Sequence, residues 1–582
     1  MISTRNYICI AGTICVCLGI CNVACFHFFG NGSQALHTIY NSQPALEFED
    51  TRSIIHAAIE STSPVSGHRR QETTDTAAPF ASNPILIENE LPGTSDWILT
   101  NPAINHEVEG YMSRTSVQRG ETIMLYHNIN AAPTIKGQPP LVQIEVFRSG
   151  WYGGLGGRKV FGPVQVPGIV QTRTEPGEDG IIVCKWKDPY VLETQKDWTT
   201  GVYLVKLTNL MNPVALMQSY AIFVVRDDDR PADIMFQLPT NTYQAYNVWG
   251  GKNLYRCNLN NNCQKAAKVS FDRPYAGPDN TAAAFGTGAA EYLVNVQPLD
   301  YPIPTAASWN YNMVRWLERN HLDISYLTNA DVHTRLPKLQ KPKLFLTQGH
   351  DEYWTWTMRD HITAWRDAGV DLAFLGSNTA YWQIRYEDVD QASNGEEPRT
   401  IVCYRRAKAD ADKSEYRTVK FRQVRPEALL VGVEYFFPLG DPYDADLIVS
   451  NHTHWIYRGT GLNKGDKIPG MLGYEVDRIN KANLQPKEGN TEEEISVTPI
   501  FETPLIDRKN RTIISHGGMY KASSGANVFG SGTMQWSWGL DDYGVREGLR
   551  TSRLNSAIET MTWNLFEAAG IARPANNVVS LG

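Results

Sequence analysis

A histidine and two carboxylates follow the apolar run Leu344-Phe345-Leu346, in the order Gly349-His350-Asp351-Glu352-Tyr353-Trp354. Imidazole beside carboxylate is a pairing that moves protons near neutral pH and holds cations. The apolar run reads as a buried strand, and strand ends are where open α/β sheets carry their chemistry. A second such run, Val370 to Leu375, is followed by Gly376-Ser377-Asn378. Two neighbouring strand ends are therefore expected to aim polar groups at one crevice. Asp351 fits a helix cap, but His350 and Glu352 alternate with it and cannot all serve one helix end.

Two further stretches are dense in aromatic and polar residues. One runs from Thr240 through Tyr243, Tyr246, Asn247 and Trp249 to Gly251 and ends in Asn253-Leu254-Tyr255; the other is Ser270-Phe271-Asp272-Arg273-Pro274-Tyr275. Either can be read as a loop packed on a sheet, with Arg273 paired to Asp272. Tyrosine enters chemistry when a Lewis-acidic metal lowers its pKa far enough for phenolate to bind, which hard ferric iron does more readily than zinc or calcium.

Residues 227–582 alternate helical and strand patterns: a helix over Met313 to Arg319, a strand over Ile324 to Leu327, a helix over Trp356 to Ala368, and a last helix near Ser556 to Ala569. This rhythm predicts an α/β domain with a largely parallel sheet. Before it, residues 85–226 show short alternating runs broken by Gly, Pro and Asn, the pattern of an immunoglobulin-like β-sandwich. The cluster Asp227-Asp228-Asp229-Arg230-Pro231 marks the boundary.

Residues 7–29 carry no formal charge and follow Arg5. The segment is long enough to predict a signal-anchor over residues 1–29, with a cleaved signal peptide as the alternative. Residues 30–84, rich in Ser, Thr and Pro, read as a linker. This organisation predicts a single-pass membrane protein with its bulk in the secretory lumen or outside the cell. Sequons at Asn31, Asn451 and Asn510 are compatible with a glycoprotein there. Cys257 and Cys263 bracket an Asn-rich loop and suit a short disulfide in an oxidising compartment, whereas Cys184 and Cys403 do not pair by inspection. With 582 residues and a net charge of -8, the chain lacks the concentrated basic surface that nucleic acid requires.

The Tyr246 loop, the Ser270–Tyr275 segment, Gly-His-Asp-Glu-Tyr-Trp, Gly376-Ser377-Asn378 and Gln535-Trp536-Ser537-Trp538-Gly539-Leu540-Asp541 together resemble the large (β) subunit of N,N-dimethylformamidase and its relatives. Phe147-Arg148-x-Gly150-Trp151-Tyr152-Gly153-Gly154 resembles a hairpin of the same family. The resemblance implies a glutaminase-like catalytic domain and a mononuclear iron, held by one glutamate and two tyrosines, that hydrolyses the C–N bond of a small amide. Carried over by motif, Glu352, Tyr246 and Tyr275 would be the metal ligands, with Tyr243 as substitute for Tyr246. His350 would be a base or proton shuttle, Asn378 would position substrate, and Glu475 would assist proton transfer. A small partner subunit and a homo-oligomer are compatible with the family. Dimethylformamide itself is not expected to be the substrate.

Two other readings compete. Clefts rich in Trp and Tyr could bind a ligand such as a glycan without turnover. A cysteine-nucleophile enzyme is weaker, because neither strand end carries a cysteine and Cys403 lies outside both motifs.

Overall fold

The run Leu344–Gly349 forms a strand buried along its whole length, and Asp371–Gly376 does the same. The two pair in parallel from Leu344↔Asp371 to Gly349↔Gly376, which sets their polar tails side by side. Side chains alternate between two apolar layers: Leu344, Leu346, Ala373 and Leu375 enter one, Phe345, Leu372 and Phe374 the other. Helices Asn310–Arg319 and Ser556–Ala568 fill the first layer through Met313, Trp316, Trp563 and Phe566. Helix Trp356–Asp367 fills the second through Met358, Ile362 and Trp365. A strand covered on both faces is a continuous apolar run in sequence, which is why both strands are legible there. The close approach of their ends needs glycine: a Cβ on Gly376 would lie 2.1 Å from the Gly349 carbonyl oxygen.

This computed structural model describes residues 83–574, apart from 131–138, 212–213, 261, 277–280, 295–307, 388–396, 406–408, 440–442, 490, 508–509 and 547. Its seven-stranded sheet runs in the order Ile324–Thr328, Ile234–Leu238, Leu344–Gly349, Asp371–Gly376, Asn527–Gly530, Thr512–Lys521, Thr498–Ile506. The first four pairings are parallel and the last two antiparallel. The two-stranded ladder of Glu434–Pro438 with Glu475–Arg478 is also antiparallel. The expected α/β class with a largely parallel, glutaminase-like sheet is thereby corrected: strand outweighs helix, 33% against 19%, and the main sheet is mixed. The helix–strand rhythm between Met313 and Leu375 belongs to one parallel patch and does not extend over the antiparallel strands beyond it.

Strands between Val108 and Arg226 form a three-stranded and a five-stranded sheet. Val108, Ile123 and Leu125 of the first share a core with Val142, Ile144, Val205 and Phe223 of the second. Arg148, on the strand Leu141–Ser149, reaches helix Asn310–Arg319 and grips Glu318 with two hydrogen bonds of 2.7 and 2.8 Å. Tyr311 of that helix donates to the Gly156 carbonyl at 3.0 Å, and Arg315 stacks on Trp151. The Gly-Trp-Tyr-Gly-Gly hairpin therefore packs within the chain.

The segment 7–29 and nearly all of the linker 30–84 lie outside the described residues. Among the described residues no helix is long and apolar enough to cross a membrane. The expected single-pass membrane anchor and the luminal placement drawn from it are accordingly not supported by the described residues. Cys257 and Cys263 are joined by a disulfide; Cys184 and Cys403 are free and buried.

Candidate active site

Glu352 follows the strand Leu344–Gly349 and is 2% exposed. Its backbone N–H donates to Thr242 Oγ1 at 3.0 Å, which fixes the turn, and its carboxylate collects phenols. Tyr246 donates to Oε2 at 2.9 Å and Tyr255 to Oε1 at 3.0 Å. The Tyr255 hydroxyl also meets that of Tyr353 in a short contact. Tyr246 ends the buried helix Thr240–Tyr246. Asn253 turns the chain back beneath it, donating to the Tyr246 carbonyl at 2.6 Å and accepting from the Tyr255 N–H at 2.8 Å. The two rings consequently stack with centroids 4.4 Å apart.

On the other side of the carboxylate, His350 Nε2 lies 3.0 Å from Glu352 Oε2 and 3.3 Å from Glu475 Oε2. Asn378 donates from Nδ2 to Glu475 Oε2 at 2.8 Å, and the same nitrogen is 3.2 Å from His350 Nε2. Its carbonyl oxygen, Oδ1, is buried with no hydrogen-bond partner. Glu475 begins the strand Glu475–Arg478 and at 8% is more exposed than His350, Glu352 and Asn378. Rings of Trp309, Tyr474 and Trp538 stand in a row nearby, with Trp309 centroids 6.0 Å and 6.4 Å from the other two.

Neighbouring charge decides the protonation states. Burial acts to lower the His350 pKa, but the carboxylates of Glu475 and Glu352 outweigh it and hold the imidazole protonated well above its ordinary range. Burial, then the Glu352 charge, push the phenols of Tyr246, Tyr255 and Tyr353 far upward, so that they act as neutral donors.

The remaining acids hold the scaffold. Asp351 points back into the sheet, accepting from Asn329 at 3.1 Å and Thr347 at 2.9 Å, and burial raises its pKa to about 6. It does not cap the following helix: Thr355 does, accepting from the Met358 N–H at 3.1 Å. Asp477 accepts from Ser377 Oγ at 2.6 Å and from the Asn378 N–H at 2.9 Å. It fixes the second strand end, where Asn378 holds a left-handed φ of 60°.

Of the residues picked out by sequence, the structure brings together Glu352, Tyr246, His350, Asn378 and Glu475. Tyr275 lies elsewhere, against Tyr111, Arg273 and Arg399, and among the described residues no hydrogen bond or ring contact joins it to Glu352. Tyr243 donates to Asn310 Oδ1 at 2.8 Å. Cys403 is buried and its thiol is pushed up to about 12, the reverse of what a nucleophile needs. Sequence reading missed Tyr255, Tyr353 and Asp477. Tyr255 and Tyr353 lie inside stretches already singled out and Asp477 lies two residues from Glu475, but only the folded chain shows what their side chains meet.

A family model described as N,N-dimethylformamidase beta subunit-like, C-terminal, matches residues 143–550. The chain belongs to this family. No curated protein matches it. The dimethylformamidase β-subunit-like region takes in every residue of the Glu352 cluster and begins within the strand Leu141–Ser149.

Proposed function

We propose that this chain is a hydrolase that cleaves the C–N bond of a small linear amide at a mononuclear iron held by Glu352, Tyr246 and Tyr255. Family membership supports the hydrolase class. The observation that carries the site is the meeting of two phenols on the two oxygens of one buried carboxylate, with a histidine–glutamate–asparagine triangle on its far side. Tyr255 takes the place that the family resemblance gives to Tyr275, because its hydroxyl reaches Glu352 and that of Tyr275 does not.

The residues fit such an ion. An all-oxygen set of one carboxylate and two phenols suits a hard cation, whose charge offsets the cost of ionising buried tyrosines. When bound, ferric iron supplies Lewis acidity that makes water a nucleophile near neutral pH and polarises the amide carbonyl.

The chain's own groups then handle protons. His350 Nε2 stands between two carboxylates and can pass a proton to or from Glu475, the member of the triangle nearest solvent. Asn378 Nδ2 holds Glu475 in place, and its free Oδ1 accepts an N–H of the substrate. Trp309, Tyr474 and Trp538 offer an apolar wall that limits water. Protonated His350 delivers the proton that the leaving amine requires. Residues 227–582 carry this site, and residues 85–226 buttress it.

Incubating the iron-loaded full chain with a panel of short formamides and acetamides, and following amine release, tests the reading. Turnover of at least one amide is expected, with kcat falling about 10²–10⁴-fold in Glu475→Gln. Iron-loaded protein that cleaves none of them, or turnover indifferent to Glu475, would contradict it.

A further inference from the structure

A cation lies over one of the phenols that meet Glu352. Thr400–Val402 is the second strand of a four-stranded sheet that runs Lys268–Ser270, Thr400–Val402, Trp382–Glu387, Tyr353–Thr355. Just beyond it the chain is pinned: the Cys403 N–H donates to the Ala267 carbonyl at 2.8 Å and the Tyr404 N–H to Thr418 Oγ1 at 2.9 Å. Arg405 follows with a left-handed backbone, φ 57°, which is unfavourable for a long side chain and persists only where its surroundings impose it. From this turn the half-buried guanidinium reaches the Tyr255 ring, its Cζ 4.3 Å from the centroid. Tyr246 stacks on the same ring at 4.4 Å, and the Tyr255 hydroxyl donates to Glu352 Oε1 at 3.0 Å. A guanidinium keeps its charge in a protein, so Arg405 is a fixed positive charge beside the cluster.

A cation over an aromatic face is attracted by the electron density of the ring, and a negative charge on the ring strengthens that attraction. Coulomb energy falls with distance, so the guanidinium acts most on the ring it touches and less on a metal beyond the hydroxyl. We propose that Arg405 tunes Tyr255 as an iron ligand: its charge stabilises the electrons of the phenolate ring, so that Tyr255 donates to the metal less strongly than it would without the cation and leaves the iron a stronger Lewis acid. In this role Arg405 touches neither metal nor substrate and acts through Tyr255. The inference rests on the iron site proposed above and does not depend on amide turnover.

The test is the position of the tyrosinate-to-iron charge-transfer band in the ferric-loaded full chain, read together with its iron content. Arg405→Gln keeps a planar polar group but removes the charge, and its band is expected at longer wavelength than that of the wild type, at unchanged iron content. Arg405→Lys keeps the charge, and its band is expected to stay nearer the wild-type position. Arg405→Met carries the same test where Arg405→Gln does not fold. An iron-loaded wild type whose band is unmoved in both neutral variants would overturn this proposal and leave the iron site standing. An equal shift in Arg405→Lys and Arg405→Gln would overturn it too, since packing and not charge would then set the band. A wild type that takes up no iron would remove the site itself, and this inference with it.

Discussion

Glu352 carries more of the site than any other side chain, since both its oxygens are taken by phenols and one is shared with His350. Asn378 acts through Glu475 and His350, and its left-handed backbone suits Asn or Asp but not a β-branched residue. Asn378→Asp is therefore expected to fold normally while kcat drops at least about tenfold, because the donor to Glu475 is gone. Asn378→Val is expected to lose thermal stability as well; equal melting temperatures for the two variants would count against this account of the turn. Sequence made His350, Glu352, Asn378 and Glu475 legible through motifs short enough to survive without three-dimensional context. Tyr255 was not, because its position depends on Asn253 turning the chain back under Tyr246, which no spacing rule encodes.

At the scale of elements, the site exists because two parallel strands end in register and a third strand brings Glu475 across them. Asp477 ties that third strand to Ser377 and Asn378, and burial raises its pKa from 3.8 to about 7. Between these values the folded chain holds a proton that the unfolded chain has lost. Stability contributed by protonated Asp477 is thus present at low pH and declines as pH rises toward 7. Melting temperature measured from pH 4 to 7 is expected to slope less steeply in Asp477→Asn than in the wild type; identical slopes would show that Asp477 is ionised throughout. The strands Leu344–Gly349 and Asp371–Gly376 were legible because burial on both faces writes an unbroken apolar run. The mixed sheet was not, since the direction in which Thr498–Ile506 and Thr512–Lys521 add to its edge leaves no local trace.

Across the whole molecule, the sheets before Arg226 meet the rest through a buried ion pair. Arg148 and Glu318 are both fully buried, and the helix that carries Glu318 begins beside Trp309 of the aromatic wall. Removing one charge strands the other in the interior, so Glu318→Gln is expected to destabilise the protein by about 3–5 kcal/mol in denaturant unfolding. A loss below about 1 kcal/mol would mean that the pair is solvated and worth no more than a surface bridge. At this scale the sequence suggested a boundary near Asp227 but not the contact between Arg148 and Glu318, which are 170 residues apart. The apolar segment 7–29 suggested a placement that the described residues do not carry.

Whether Glu352, Tyr246 and Tyr255 hold iron is decided by metal content measured together with the visible absorption spectrum of the full chain. One iron per chain and a tyrosinate-to-iron charge-transfer band are expected, both lost in Glu352→Ala and the band lost or shifted in Tyr246→Phe and Tyr255→Phe, while Tyr275→Phe leaves it intact. A folded protein that stays colourless after reconstitution with ferric salt, or a band that depends on Tyr275 and not on Tyr255, would contradict it.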